Sequence, residues 1–331
     1  MTKKSYTEWT KVLVVILLFG VMGWITDKSW AAEKYPSRTI QIVICFQPGA
    51  TDMILRPFTE KLPEFLGQPT TFVYKPGSLG AVGASFVAKA RPDGYTLMGT
   101  SPSTVINVPL TQEGIDYSLD DFVPICQLAK SPLIVTVKAD SPWKTIRDVV
   151  EEAKKSPGKL TYSTAGIYSN AHVSMEMLVK SAGVSITHVP TQGVTPAVTA
   201  LLGGHIQLTS GSMSSLSPHL KSGALRPIGV FEKERLKEFP NLPTFSEMGY
   251  PVVISTTYGL LAPKMTSADV VKTLFTACKG VIETHKNFIE DRLEKLSIQF
   301  DFAAPEEYAR ALRTENEVMK MVLKDLMKSS K

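Results

Sequence analysis

Thr39-Ile40-Gln41-Ile42-Val43-Ile44-Cys45-Phe46 is a β-branched, almost continuously apolar run, the pattern of a strand covered on both faces. A turn follows at Gln47-Pro48-Gly49, after which Leu55, Phe58, Leu62 and Phe65 recur at helical spacing until Gly67 closes the segment. Pro57 and Pro63 lie inside that segment and each removes a backbone donor, so the helix is either kinked or begins late. A second strand is expected over Thr70 to Tyr74. A glycine-rich loop and a helix with Val82, Phe86, Val87 and Ala90 on one face come next, then a turn at Pro92-Asp93-Gly94 and a third strand over Tyr95 to Gly99. Strand, helix, strand, helix, strand at this spacing is what a right-handed parallel βαβ sheet requires.

A second block of the same kind begins near Ser141-Pro142. Thr145 with Asp148 three residues on gives a capping-box signal, and Ile146, Val149, Val150 and Ala153 form the buried stripe. Strands are expected at Leu160 to Ser163, Ile186 to Val189, Ile206 to Thr209 and Pro227 to Phe231. Between them lie helices starting near Ser169, Thr195-Pro196 and Ser217-Pro218. A strand at Tyr258 to Ala262 leads into helices over Ser267 to Glu283, Lys286 to Lys295 and Pro305 to Lys328, with one short strand at Ile298 to Phe302.

The 331 residues, 44% hydrophobic and 20% charged, suffice for about two buried cores. Disorder, a collagen repeat and a disulfide-stapled miniprotein are excluded. Lys3, Lys4 and Lys11 precede the apolar run Val12 to Ile25, and Ser29-Trp30-Ala31 follows, which is the order of a secretory signal peptide cut after Ala31. The competing reading, an uncleaved anchor, needs roughly 20 apolar residues and this run is shorter. Beyond Ala31, 32 basic and 29 acidic residues remain of the 36 and 31 in the whole chain, too balanced and diffuse for nucleic acid. Cys45, Cys126 and Cys278 are odd in number and widely spaced, with no metal-ligand spacing, and read as small buried side chains.

Gly77-Ser78-Leu79-Gly80-Ala81-Val82-Gly83 lies between strand and helix. Its spacing matches neither dinucleotide nor P-loop signatures, but a helix start with glycines presents free N–H groups that favour a small anion such as a carboxylate. Phe46 to Asp52 is a second loop at the carboxyl end of a strand, where open α/β sheets bind ligands; Thr51 or Asp52 could equally cap the helix. His172 and Glu176 share a helix face and could hold zinc, although a hydrogen-bonded pair four residues apart is the commoner arrangement. No Gly-x-Ser-x-Gly elbow is present.

These residues resemble the Bug/TctC-type periplasmic solute receptors of tripartite tricarboxylate transporters, from Tyr35 to about Lys324. The resemblance is carried by Tyr35-Pro36-Ser37-Arg38, the Phe46 to Asp52 loop, Pro76 to Gly83 and Val87 to Leu97, and further along by Ser156-Pro157-Gly158, Tyr162 to Gly166, His172 with Glu176, His188-Val189-Pro190, Leu202-Gly203-Gly204, Pro243-Thr244 and Glu247 to Tyr250. It implies a type II periplasmic-binding-protein fold: two α/β lobes, each a mostly parallel sheet flanked by helices, with crossover strands and an interlobe cleft. The division it implies is a leader at 1–31, lobe one at 32–137, lobe two at 138–256, and a return to lobe one at 257–331.

The function implied is capture of a small organic acid by hinge closure and delivery to membrane permease subunits. The receptor would be a monomer, would need no cofactor and would not be an enzyme; an exported α/β enzyme using Cys45 or His172, or a ligand-sensing adaptor, are the alternatives. Carried over by position, the ligand-binding residues would be Gly49, Ala50, Thr51, Asp52, Gly80, Ala81, Val82, Gly83 and Ser101 from lobe one. From lobe two come Ala165, Gly166, Ser169, His172, Gln192 and Gly193. Backbone N–H groups would hold a carboxylate, hydroxyls of Thr51, Ser101 and Ser169 would donate hydrogen bonds, and His172 would brace its loop. Against the family pattern the first loop is one residue short, Leu79 stands where Gly is usual, Tyr168 replaces a glycine and Thr191 replaces a common Tyr. Leu79 and Tyr168 are expected to narrow the cleft and shift the ligand set toward smaller or more apolar solutes.

Overall fold

The first block folds as its pattern dictates in the computed structural model, which describes residues 34–191 and 193–329. Strand β1 (Ile40–Ile44) pairs in parallel with β2 (Thr70–Tyr74) on one side and β3 (Thr96–Thr100) on the other. Helix α1 (Ala50–Thr59) begins directly after Gly49 and is interrupted two residues beyond Pro57. A second helix, α2 (Leu62–Leu66), then carries the same apolar face to Gly67, whose left-handed φ of 66° ends it. The two prolines are thus accommodated by a break, not by a late start. Helix α3 (Ala81–Ala88) returns the chain from β2 to β3, and the short helices α4 (Pro102–Val105) and α5 (Asn107–Thr111) follow β3.

Strand β4 (Phe122–Lys138) decides the architecture. Its first half lies between β9 (Ser255–Pro263) and β10 (Gln299–Ala303); its second half lies between β7 (Leu208–Ser212) and β8 (Leu225–Val230). The first sheet runs β2-β1-β3-β9-β4 with β10 on the far side of β4. The second runs β8-β4-β7-β5-β6, where β5 is Thr161–Ser163 and β6 is Thr187–His188. The change of sheet falls between Pro132, opposite Ser255, and Leu133, opposite Ser212. All pairings of β4 are antiparallel, while β1–β3 and β5–β7 are parallel, so each lobe has a mixed sheet of parallel strands completed by antiparallel crossovers.

In the second lobe, Thr145 caps α6 (Ile146–Lys155): its hydroxyl accepts from the Asp148 amide at 3.3 Å while the Asp148 carboxylate accepts from the Thr145 amide at 2.9 Å. Helices α7 (Asn170–Ala182), α8 (Val194–Leu202) and α9 (Met213–Lys221) follow β5, β6 and β7. Helix α9 does not start at Ser217-Pro218 as its proline suggests. Burial of Met213 and Leu216 in the second lobe's core draws the start back to Met213, and Pro218 sits inside the helix. The tail is α10 (Ala268–Lys295), one helix bent at His285 where two separate helices were expected, followed after β10 by α11 (Pro305–Ser329).

Residues from Arg38 onward pack as one compact unit. Buried Ile40, Ile42, Val43 and Ile44 of β1 show both faces of the strand covered, as its composition requires. Among the described residues no helix is long and apolar enough to cross a membrane. The leader and its cut after Ala31 lie outside the described residues.

Candidate functional site

Parallel strands present their carboxyl ends on one edge of each sheet, where ligands of α/β proteins bind. From lobe one come the start of α1 after β1, the turn Ser78–Gly80 before α3, and Ser101 before α4. From lobe two come the 164–169 loop after β5 and the turn ending at Gly193 after β6. The lobes touch where Asn107 Nδ2, at the start of α5, donates to the Tyr168 carbonyl of the 164–169 loop at 2.9 Å.

Asp52 is committed to holding its own loop. Its carboxylate accepts from the Gly49 amide at 2.6 Å, Tyr74 OH at 3.0 Å and Arg56 Nη2 at 3.1 Å. Burial works against the charge, but these three donors prevail and hold the Asp52 carboxyl below its usual range. The side chain therefore shapes the α1 start, whose first-turn N–H groups at Ala50 and Thr51 are of the kind a helix leaves without internal partners.

The second loop is built by close approach. A Cβ on Gly83 would lie 2.8 Å from Cys45 Sγ and 3.0 Å from the Lys75 carbonyl, and one on Gly80, at φ 94°, would lie 2.9 Å from Thr104. Glycine at these two positions lets α3 start against the end of β1. Between Gly77 and Gly80, Ser78 (φ 47°) and Leu79 (φ 54°) are both left-handed, and the Leu79 side chain is 52% exposed. Ala81 is buried and Val82 exposed. Cys45 beneath them is fully buried, and its thiol is pushed up to about 12 by burial, against a hydrogen bond from Thr100; it is unsuited to act as a nucleophile.

In lobe two, Ser169 caps α7, accepting from the His172 amide at 3.2 Å and donating to the Gly166 carbonyl at 2.9 Å. His172 Nδ1 accepts from the Tyr168 amide at 3.0 Å, so the imidazole braces the loop from behind. Its ring stacks on His188 with centroids 4.1 Å apart, and the Thr164 hydroxyl lies 3.0 Å from His188 Nε2. Burial pushes His172 down to about 3, helped by His188, and burial alone pushes His188 down to about 4, so both rings are neutral near pH 7. Glu176 takes the Tyr162 hydroxyl and lies 3.8 Å from His172 Nε2. Among the described residues no cluster of metal-ligating side chains is present.

Tyr168, left-handed at φ 62°, does not project as the sequence leads one to expect. Its ring is half-buried, packs against the core and lies 5.9 Å from His172, whereas Leu79 is exposed. The Thr191 hydroxyl lies 2.8 Å from the Thr164 carbonyl and 2.9 Å from the Gly193 carbonyl, its one proton serving either, and so links the β5 and β6 turns. Gln192 lies outside the described residues. Ala165 and Gly166 line the loop half-buried. Sequence reasoning overlooked Asn107 and a hydroxyl cluster on the same edge, where Ser212 Oγ lies 3.1 Å from Ser214 Oγ and 2.8 Å from Ser215 Oγ, with Ser131 of β4 3.4 Å from Ser214. The run Ser212-Met213-Ser214-Ser215 after a strand was the available signal for the second group.

Two α/β lobes joined by crossover strands are the architecture of periplasmic solute-binding proteins. Residues 54–326 match the tripartite tricarboxylate transporter family receptor, TctC. Protein BugT of Bordetella pertussis is 32% identical over 269 residues, covering 80% of this chain and 82% of BugT. The periplasmic binding protein BugD superposes with a TM-score of 0.75 at 27% identity, covering 88% of this chain and 98% of that one. MatC from Rhodopseudomonas palustris with bound malate superposes with a TM-score of 0.75 at 26% identity, covering 87% of this chain and 99% of that one. The chain belongs to the TctC receptor family, whose members are solute-binding receptors and not enzymes.

Proposed function

We propose that this chain captures a small organic acid in the interlobe cleft, closes over it by a hinge, and delivers it to the membrane permease subunits of a tripartite transporter. Three of the four non-glycine residues with left-handed backbone among the described residues, Ser78, Leu79 and Tyr168, sit on two of the loops assigned to the ligand, one in each lobe; this observation carries the reading. Such strain persists where the surroundings enforce it, and it clusters at ligand clamps. Backbone N–H groups of the α1 start, with the Ser169 turn opposite, hold the carboxylate, whereas the Gly80, Ala81 and Val82 amides at the α3 start already donate to the Gly77 and Ser78 carbonyls and shape that turn; the loops contribute neither Lys nor Arg. Malate in MatC supports the acid class.

Closure requires a ligand that touches both lobes, because only contacts made in the closed state shift the balance. The change of sheet within β4 between Pro132 and Leu133, and the return of the chain to the first sheet at β9, support two lobes close to the expected 32–137 with 257–331, and 138–256, except that Leu133 to Val137 belong by pairing to the second. We place the working protein in the periplasm, as a monomer, after removal of residues 1–31.

Denatured and refolded protein, freed of any co-purified solute, is to be screened by thermal shift against mono-, di- and tricarboxylates, amino acids and aromatic acids. A carboxylate raising Tm with no turnover is the expected result, since a ligand bound only to the native state stabilises it. Stabilisation by uncharged solutes alone, with every acid inert, overturns the reading.

A further inference from the structure

We propose that Asn107 is a positioning residue for binding: it registers the lobe-two ligand loop against lobe one and so fixes the width at which the cleft presents its two sets of loops. This rests on the reading of the cleft as the ligand site. Asn107 opens α5, one short helix beyond the end of β3, and is 2% exposed. Its amide nitrogen donates at 2.9 Å to the Tyr168 carbonyl and at 2.9 Å to Asn170 Oδ1, so both N–H groups are used. Turning the amide over would set its oxygen against those two oxygens; the partners dictate its orientation.

Both partners are themselves fixed. The Tyr168 amide is held by His172, and Asn170, 4% exposed, donates to Glu315 Oε1 of α11 at 3.2 Å and to the Ser255 carbonyl at 3.4 Å. Ser255 stands opposite Pro132, where β4 changes sheets. The bonds therefore run from lobe one, through the ligand loop of lobe two, to the crossover itself. Asn107 Oδ1 is buried with no hydrogen-bond partner among the described residues. Leaving an acceptor unmet is unfavourable, and an apolar side chain of the same size would avoid it. The two donated bonds offset that cost and are what the amide provides.

The test uses the full chain with nitroxide labels at the exposed positions Arg91 and Glu151, one on each lobe, and pulsed electron resonance without ligand. Wild type is expected to give one narrow distance. Asn107→Ala and the isosteric Asn107→Asp, which lacks the donor, are each expected to give a longer and broader distribution. Asn170→Ala should do the same, and the Ala double variant should add less than the sum of the two single changes, because the residues share one bond besides those each makes alone.

Malate and adipate serve as binding probes. Asn107→Ala should dissociate whichever binds about tenfold faster, as the loss of about two hydrogen bonds predicts, with their order of affinity unchanged because Asn107 touches no solute. Should Asn107→Ala fail to fold, Asn107→Asp and Asn170→Ala carry the same distance measurement. Folded Asn107 variants whose distances superimpose on wild type overturn the proposal. If wild type binds neither acid, the dissociation measurement is made with the acid that raises Tm in the screen; if no acid does, the function assigned to the cleft fails, while the distance measurement still decides the role of Asn107.

Discussion

His172 and His188 show how far burial at single residues governs this protein's response to acid. Both are held well below the ordinary histidine value of about 6.5, at about 3 and about 4. The unfolded chain therefore takes up protons first as pH falls below 6.5, and folding stability drops progressively down to about pH 3, at about 1.4 kcal/mol for each unit of displacement. Glu315 has the opposite sign: burial, opposed by the Asn170 hydrogen bond, pushes it up to about 7, so its contribution is complete below about 4.5 and lost as pH rises toward 7. Two histidines outweigh one carboxyl, so Tm is expected to fall between pH 6.5 and 4. Replacing His188 by Gln should flatten that slope in a thermal titration; an unchanged slope would place the acid sensitivity elsewhere. Local signals made some residues legible: the Thr145 and Asp148 box is readable because its members are three apart. Asn107 was not, since its partners lie 61 and 63 positions away and a lone Asn carries no pattern.

At the scale of elements, periodicity was a good guide wherever one face of a helix or both faces of a strand are covered, as with β1, α6 and α7. It failed at β4. No strand is expected there from the sequence, and the structure shows how a strand holds two prolines: a register shift accompanies Pro124, and Pro132 stands where the strand leaves one sheet for the other, positions that need no ladder donor. The start of α9 was misplaced for the converse reason, because a proline looked like a first-turn residue while burial decided the matter. The turn before α3 carries a measurable consequence. Leu79 in the left-handed region costs about 1–2 kcal/mol that glycine would not incur. Leu79→Gly is expected to raise unfolding free energy by about 1 kcal/mol and, by removing an exposed apolar side chain from the cleft mouth, to admit bulkier acids in the same thermal-shift screen. Loss of stability on that change would mean that the Leu79 side chain packs favourably despite its exposure.

Considered whole, the molecule has two sheets but not two independent domains, because one strand belongs to both. Melting either sheet removes half the partners of β4 and exposes Ile125, Leu128, Ile134 and Val135, all fully buried. A single calorimetric transition with equal calorimetric and van't Hoff enthalpies is expected; two resolved transitions would show that the lobes unfold separately. The two-lobed plan was legible because each lobe repeats the strand–helix alternation. The interlobe contacts were not, because they join residues from distant parts of the chain.

The place of β9 also fixes a timetable. Consecutive strands β3 and β4 are not neighbours, and β9 occupies the slot between them. A chain made from its amino end cannot close the first sheet until Pro263 is available, and β10 adds its pairing to β4 only forty residues after that. The second lobe, contiguous in the chain, can gather its own strands sooner. The half of the protein that is synthesised first is therefore the half that matures last, and until then β3 keeps an open edge.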